Sequence, residues 1–265
     1  MLLEAQLSVR YQDAPVLRDL ALSIAAGEIV GLAGQSGSGK STLALALLRL
    51  LEWKHATVSG SLRLEGREIL SSPEREWREI RGRRIALVMQ GAESALNPAL
   101  RLGQQLKLAW NIHASDWKGA GILRARELFG CCGLPMDDGF FDRYPSQISL
   151  GQAQRALIAM GLLHRPALLV ADEVTSALDL LTQRDVLETL RDVNRTYGTA
   201  VLFVSHDLLA LRSLCNRIAI LANGVIVESR PVEDLFRDPK HPYTRKLLAA
   251  LPNSESSLAS ATTSQ

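Results

Sequence analysis

The sequence is short of the features that send a chain out of the cell, into a bilayer or onto nucleic acid. Only three cysteines occur among 265 residues. Cys131 and Cys132 are adjacent and Cys215 stands alone, a spacing that suits neither a disulfide framework nor a thiolate metal site. No run approaches the roughly 18 uninterrupted apolar residues of a transmembrane helix. The best stretch, residues 156–170, is broken by His164, Arg165 and Pro166. A formal charge of +2 without any long basic block offers nucleic acid little to hold, so no nucleic-acid partner is expected. The N-terminus, Met-Leu-Leu-Glu-Ala-Gln, puts a carboxylate where a secretion signal carries positive charge. What remains is an ordinary globular balance, 47% hydrophobic and 22% charged. The length suffices for one large core or two modest ones, and the cytoplasm is the expected compartment.

Against that background one stretch stands out. Residues 34–42 read Gly-Gln-Ser-Gly-Ser-Gly-Lys-Ser-Thr and fit G-x-x-x-x-G-K-[ST] at every fixed position. An apolar run at 29–33 predicts a buried strand before it, and residues 43–51 predict a helix after it. Glycines 34, 37 and 39 allow the backbone to curl so that its N–H groups face phosphate oxygens at a helix N-terminus. Gly34, Gln35, Ser36, Gly37, Ser38, Gly39, Lys40, Ser41 and Thr42 are therefore the candidate nucleotide-binding residues. Lys40 is placed to reach the β- and γ-phosphates and the Ser41 hydroxyl to hold Mg²⁺, so ATP and Mg²⁺ are the expected cofactors.

The periodicity changes along the chain. Alternation at 7–11, 20–24 and 61–64 predicts strands, as does the short apolar run 85–89. Residues 91–155 read mostly helical, punctuated by Pro98, Pro135 and Pro145. Beyond 157, strand patterns at 168–171, 200–205, 218–221 and 225–228 alternate with helical ones at 186–195 and 208–215, which argues a parallel α/β core. The pattern thus predicts a helical insert of about 60 residues within an α/β fold. The tail at 253–265, mostly Ser, Ala and Thr, is expected to be disordered. Residues 238–242, Asp-Pro-Lys-His-Pro, read as a turn opening a helix that packs Leu247, Leu248 and Leu251 on the core.

A second nucleotide element is the apolar run 168–171 ending in Asp172 and Glu173. A strand that ends in two carboxylates sets them at the carboxyl edge of a parallel sheet, where ligands bind. Asp172 suits Mg²⁺ held through water, and Glu173 the polarisation of an attacking water. Four more segments resemble those of the ATP-binding cassette (ABC) superfamily. Residues 148–155, Ile-Ser-Leu-Gly-Gln-Ala-Gln-Arg, resemble its signature Leu-Ser-Gly-Gly-Gln-x-Gln-Arg, with Leu150 where the first glycine belongs. Residues 172–179, Asp-Glu-Val-Thr-Ser-Ala-Leu-Asp, resemble its Walker B and D-loop, with Val174 in place of proline. His206, in Phe-Val-Ser-His-Asp, matches the switch histidine, and Gln90 the Q-loop glutamine.

The resemblance spans residues 11–206. It implies a P-loop NTPase of the α/β class: a RecA-like core with a β-subdomain and the helical insert at about 91–155, all within one ATP-binding domain at 1–252. It also implies an ATPase in which Glu173, His206 and Gln90 are catalytic, with Ser41, Gln90 and Asp172 serving the metal. Ser149, Gly151 and Gln152 would bind the ATP of a neighbouring subunit in a head-to-tail dimer. Residues 90–98 and the segment at 241–248, His-Pro-Tyr-Thr-Arg-Lys-Leu-Leu, are similar to those of ATPases serving dipeptide, oligopeptide and nickel importers. The implied partners are a second ATP-binding subunit, two transmembrane permease subunits and, indirectly, a periplasmic or extracellular substrate-binding protein. The implied place is the cytoplasmic face of the inner membrane. An exporter subunit and a non-transport cassette are the alternatives. Leucine in the signature adds volume beside the phosphate, although a first-turn side chain can also point away; the expectation is a pair of unlike subunits in which Leu150 faces the partner's ATP.

Tyr11 carries two readings: the aromatic that stacks on adenine in the resembled family, or an edge-strand ring packed on the core. If it stacks, Tyr11→Ala weakens ATP binding by about 1–2 kcal/mol while Tyr11→Phe and Tyr11→Trp are nearly neutral. Unchanged affinity in a folded Tyr11→Ala protein, measured by nucleotide titration, assigns the ring to packing.

Overall fold

The computed structural model describes residues 1–12, 14–52 and 55–251; the tail expected to be disordered lies outside them. The chain begins with a hairpin, β1 (Leu3–Tyr11) and β2 (Ala14–Ile24). β3 (Ile29–Ala33) then leads through the glycine loop into α1 (Lys40–Ala46). β4 (Ala56–Leu64), β5 (Arg67–Glu68), α2 (Glu74–Ile80) and β6 (Ile85–Val88) follow. The helical stretch contains α3 (Ala92–Ala95), α4 (Leu102–Asn111), α5 (Ile122–Cys131), α6 (Asp138–Phe141) and α7 (Leu150–Gly161). Strand and helix then alternate through β7 (Leu168–Asp172), α8 (Leu180–Tyr197), β8 (Ala200–Val204), α9 (Leu208–Leu214) and β9 (Arg217–Ala222). β10 (Val225–Pro231), α10 (Val232–Arg237) and α11 (Pro242–Ala249) complete the described chain.

Among the described residues the strands make two sheets. One is antiparallel, in the order β2-β1-β4-β5. The other, β10-β9-β3-β8-β7-β6, is parallel from β9 to β6 with β10 antiparallel at its edge. Successive strand residues point to opposite faces, and both faces of the parallel sheet are dry. In β8, Val201 and Phe203 enter a core shared with the helical stretch and with α8 and α9. Ala200, Leu202 and Val204 enter a second core shared with α1 and the antiparallel sheet. Burial on both sides is why these strands read as continuous apolar runs rather than as alternation.

The structure departs from the sequence pattern in three places. The helix after the glycine loop begins at Lys40 and ends at Ala46 rather than running from 43 to 51. Arg49 turns left-handed at φ 53°, and the Arg81 guanidinium donates to the carbonyls of Leu48 (2.8 Å) and Arg49 (3.3 Å). A cation from a distant segment thus satisfies the carbonyls that a longer helix would have used. α2 was not anticipated, although Pro73 and the first-turn acids Glu74 and Glu76 are an N-terminal signal; it buries Trp77. α7 runs unbroken to Gly161, past the expected end of the helical insert at 155. The C-terminal helix starts at Pro242 as expected, with Leu247, Leu248 and Leu251 packed partly buried against the core.

Phe129 of α5 is fully buried, with Phe140 at 6.1 Å and Phe141 at 4.9 Å in edge-to-face contact. Phe129→Ala removes the ring that joins α5 to α6 and should destabilise the fold by about 3–5 kcal/mol. An unchanged urea midpoint would show that these helices do not share one core.

Candidate nucleotide site

Parallel register brings four strand ends to one edge. Leu32 of β3 and Asp172 of β7 both pair with Val204 of β8, and Val88 of β6 pairs with Ala171. The glycine loop, Asp172-Glu173, His206 and Gln90 therefore all emerge at the carboxyl edge, where a parallel sheet leaves its crevice. Gln90 lies there exposed, two residues beyond β6.

The loop is tightly curled. Gly39 has φ 106°, and a Cβ there would sit 2.7 Å from Leu17 Cδ2; Gly37 has φ 78° and nothing within 4 Å of the corresponding point. The first glycine lets the loop press onto β2, and the second leaves its crown open. Lys40, 5% exposed, donates from Nζ to the Gly34 carbonyl at 2.9 Å and the Gln35 carbonyl at 3.1 Å. Its ammonium lies 3.9 Å from Glu173 Oε1. Burial pushes the Lys40 pKa down, opposed by Glu173 and Asp172. Burial likewise pushes the Asp172 carboxyl up, against the Ser41 hydroxyl and the Lys40 ammonium, which lower it.

Two oxygens beside this lysine are orphaned. Asp172 Oδ1 and Ser38 Oγ are buried without a hydrogen-bond partner among the described residues. Buried polar atoms are normally satisfied, so two unsatisfied ones next to an ammonium and the exposed Ser41 fit a phosphate with its divalent cation. Among the described residues no three His, Cys, Asp or Glu side chains cluster to hold a metal.

Glu173 holds an unusual backbone. Its φ is 51°, a conformation that costs a non-glycine residue about 1–3 kcal/mol and clusters at functional sites. Its N–H donates to the Val204 carbonyl at 2.9 Å, and its carbonyl accepts from Ser176 Oγ at 2.7 Å. So fixed, Oε2 lies 3.6 Å from His206 Nδ1, in a side chain that is 64% exposed. The turn carrying His206 is anchored by Asp207, which caps α9 through the Leu209 N–H at 2.8 Å. Gln183 of α8 donates to the same carboxylate at 2.9 Å. Gln183 escaped sequence reasoning because a polar residue on a helix carries no signal of what faces it.

Ser149, Gly151 and Gln152 form the first turn of α7. Ser149 Oγ accepts the Gln152 N–H at 3.2 Å and Gln152 Oε1 accepts the Ser149 N–H at 3.0 Å, a reciprocal capping box. Among the described residues no hydrogen bond or ion pair joins this turn to the loop at 34–42 of the same chain. The Leu150 side chain is partly buried against the core, the orientation left open for a first-turn position. Tyr11 is half-buried at the end of the β1–β2 hairpin, opposite Ala14. The same hairpin reaches the loop through Val16, whose carbonyl approaches within 3.5 Å of the Gly39 Cβ position, while Tyr11 packs part of its ring on the core. A contact that sequence reasoning missed comes from Tyr243, whose hydroxyl accepts the Gln35 N–H at 3.3 Å.

Comparison with known proteins gives a concordant picture. A family model described as "ABC transporter" matches residues 17–176. One described as "Oligopeptide/dipeptide transporter, C-terminal region" matches residues 227–264. A probable peptide ABC transporter ATP-binding protein of Sinorhizobium fredii is 39% identical over 247 residues, 92% of this chain and 74% of the relative. The oligopeptide transport ATP-binding protein OppD of Bacillus subtilis is 35% identical over 92% of this chain and 69% of its own length. OppD of Escherichia coli is 36% identical over 91% and 71%. Among solved structures, a dimeric ATP-binding cassette in a post-hydrolysis state with ADP and Pi aligns with TM-score 0.73 and 27% identity, over 88% of this chain and 99% of that one.

Gly151 is packed as tightly as any loop glycine, since a Cβ there would lie 2.2 Å from Thr182 Cγ2. Gly151→Ala should destabilise the protein by about 1–3 kcal/mol. Thr182→Ser in the same chain, which removes that methyl but keeps the hydroxyl on Asp179, should restore most of it. Thermal denaturation of the two variants checks this, and a lack of rescue would place the strain elsewhere.

Proposed function

This chain belongs to the ABC transporter family and is an ATPase, and on that premise we propose that it is the ATP-hydrolysing subunit of an importer of short peptides. The observation that carries the reading is Glu173, held in a left-handed turn between the Lys40 ammonium and His206 at the sheet edge that carries the glycine loop. Peptide rather than nickel uptake is favoured because the similar proteins named above are peptide-transport subunits and the C-terminal match is to the oligopeptide/dipeptide region.

The residues divide the work as follows. Loop N–H groups from Gly37 to Thr42 receive the phosphate oxygens, and Lys40 exchanges its two carbonyls for the β- and γ-phosphates. Ser41, Asp172 and Gln90 would hold Mg²⁺, which when bound would supply positive charge beside the phosphates. Glu173 polarises the attacking water and His206 orients both. Tyr11 stacks on the adenine. Ser149, Gly151 and Gln152, unbonded to their own loop among the described residues, face the nucleotide of a second ATP-binding subunit; the dimeric cassette with ADP and Pi shares this chain's fold. The second ATP-binding subunit is a different chain, and Leu150, partly buried against the core, lies in the signature turn offered to it. No helix among the described residues is long and apolar enough to cross a membrane. Two permease subunits form the path, fed by a substrate-binding protein, with this chain peripheral on the cytoplasmic face; the likeness to oligopeptide transport ATP-binding proteins supports this. Residues 1–252 act as one ATP-binding domain, with the insert at about 91–155 transmitting closure.

Glu173→Gln removes the carboxylate but not the shape. It should keep ATP binding and slow hydrolysis by at least about 100-fold in the assembled transporter, and His206→Ala should follow it. Near-normal turnover of Glu173→Gln would overturn the assignment of the polarising group.

A further inference from the structure

Tyr243 sits 208 residues from the phosphate loop in sequence, yet its hydroxyl accepts the Gln35 N–H at 3.3 Å. That N–H belongs to the peptide plane whose other end, the Gly34 carbonyl, accepts Lys40 Nζ at 2.9 Å. The next carbonyl, of Gln35, accepts Lys40 Nζ at 3.1 Å and the Ser38 N–H at 3.2 Å. One peptide thus lies between a hydroxyl of the C-terminal helix and the phosphate-binding lysine, and hydrogen bonds in such a chain polarise one another.

The far end of this connection is anchored as specifically. Glu228 of β10 is buried and accepts the N–H groups of Lys240 and His241, each at 2.9 Å. Burial pushes its carboxyl up, but the hydrogen bonds it accepts outweigh this and hold it below the usual range. His241 Nδ1 in turn accepts the Tyr243 N–H at 3.2 Å. The Tyr243 ring, Leu247 and Leu248 pack on the core, so the helix presents its hydroxyl from a fixed base.

We propose that Tyr243 is a positioning residue for the phosphate loop, through which docking of the C-terminal segment sets nucleotide affinity. The inference rests on the reading of residues 34–42 as the nucleotide site. Docking holds the Gly34–Gln35 peptide in its curled orientation before nucleotide arrives, which lowers the ordering cost of binding. Because coupling between two sites is reciprocal, bound nucleotide must stabilise the docked helix by the same factor. The effect falls on the loop and not on the γ-phosphate, so ATP and ADP are affected alike.

The test is Tyr243→Phe in the full chain, which keeps the ring and removes the hydroxyl. Dissociation constants for MgATP and MgADP, measured by displacement of a fluorescent nucleotide, should both rise about 3- to 10-fold, as for loss of one hydrogen bond. In the assembled transporter KM should rise with kcat unchanged. Hydrogen exchange at 242–249 should slow on adding MgADP to the unaltered chain and should not slow in Tyr243→Phe. Glu228→Gln, which weakens the anchor, should speed exchange at 242–249 without nucleotide and weaken binding by a smaller factor. Unchanged affinity in Tyr243→Phe, a fall in kcat at constant KM, or exchange at 242–249 indifferent to nucleotide in the unaltered chain each overturns the inference. An unaltered chain that binds no nucleotide instead overturns the reading of the loop, and the inference with it.

Discussion

The parallel register of β3, β8 and β7 is the constraint on which the rest of the molecule depends. Asp172 lies level with the end of the strand that leads into the loop because it and Leu32 both pair with Val204. A slip of one residue would exchange the faces of the strand. In β8 it would send Val201 and Phe203 into the core that holds Leu202 and Val204, and the reverse. Two dry cores of different shape therefore lock the register from both sides. The same burial that locks it raises the cost of the charges at its edge, and it leaves Lys40 and Asp172 dependent on each other and on what binds between them.

What the sequence made legible was local. The glycine loop, the two carboxylates after an apolar run and the histidine after another are contiguous motifs, and each sits on the element that its pattern predicts. The alternation of strands and helices beyond residue 157, and the helical stretch before it, are periodicities of the same local kind. The turn opening at Pro242 likewise followed from punctuation alone. The early end of α1 arises at a boundary, where a distant guanidinium decides it.

What stayed hidden involves partners far apart in the chain. Which way Leu150 turns depends on the core beside α7, against which it is partly buried, and the motif leaves both directions open. Thr182 pressing on Gly151, Gln183 holding Asp207, and Tyr243 reaching Gln35 are contacts between residues of ordinary type. Nothing in a side chain's identity says which backbone amide it will meet after the sheet has closed. The left-handed backbone of Glu173 was equally invisible, since glutamate has no preference for that region and is held there by a carbonyl from the next strand.

The capping box on α7 has a consequence for assembly. Ser149 and Gln152 satisfy each other's amides within a single chain, so the turn is already ordered in the lone subunit, with the Gly151 amide on an already formed helix end. A surface prepared in this way has little left to rearrange on meeting another molecule. Encounter then becomes a matter of orientation rather than of folding, and the rates of closing and opening are left to the nucleotide and to whatever the helical insert is attached to.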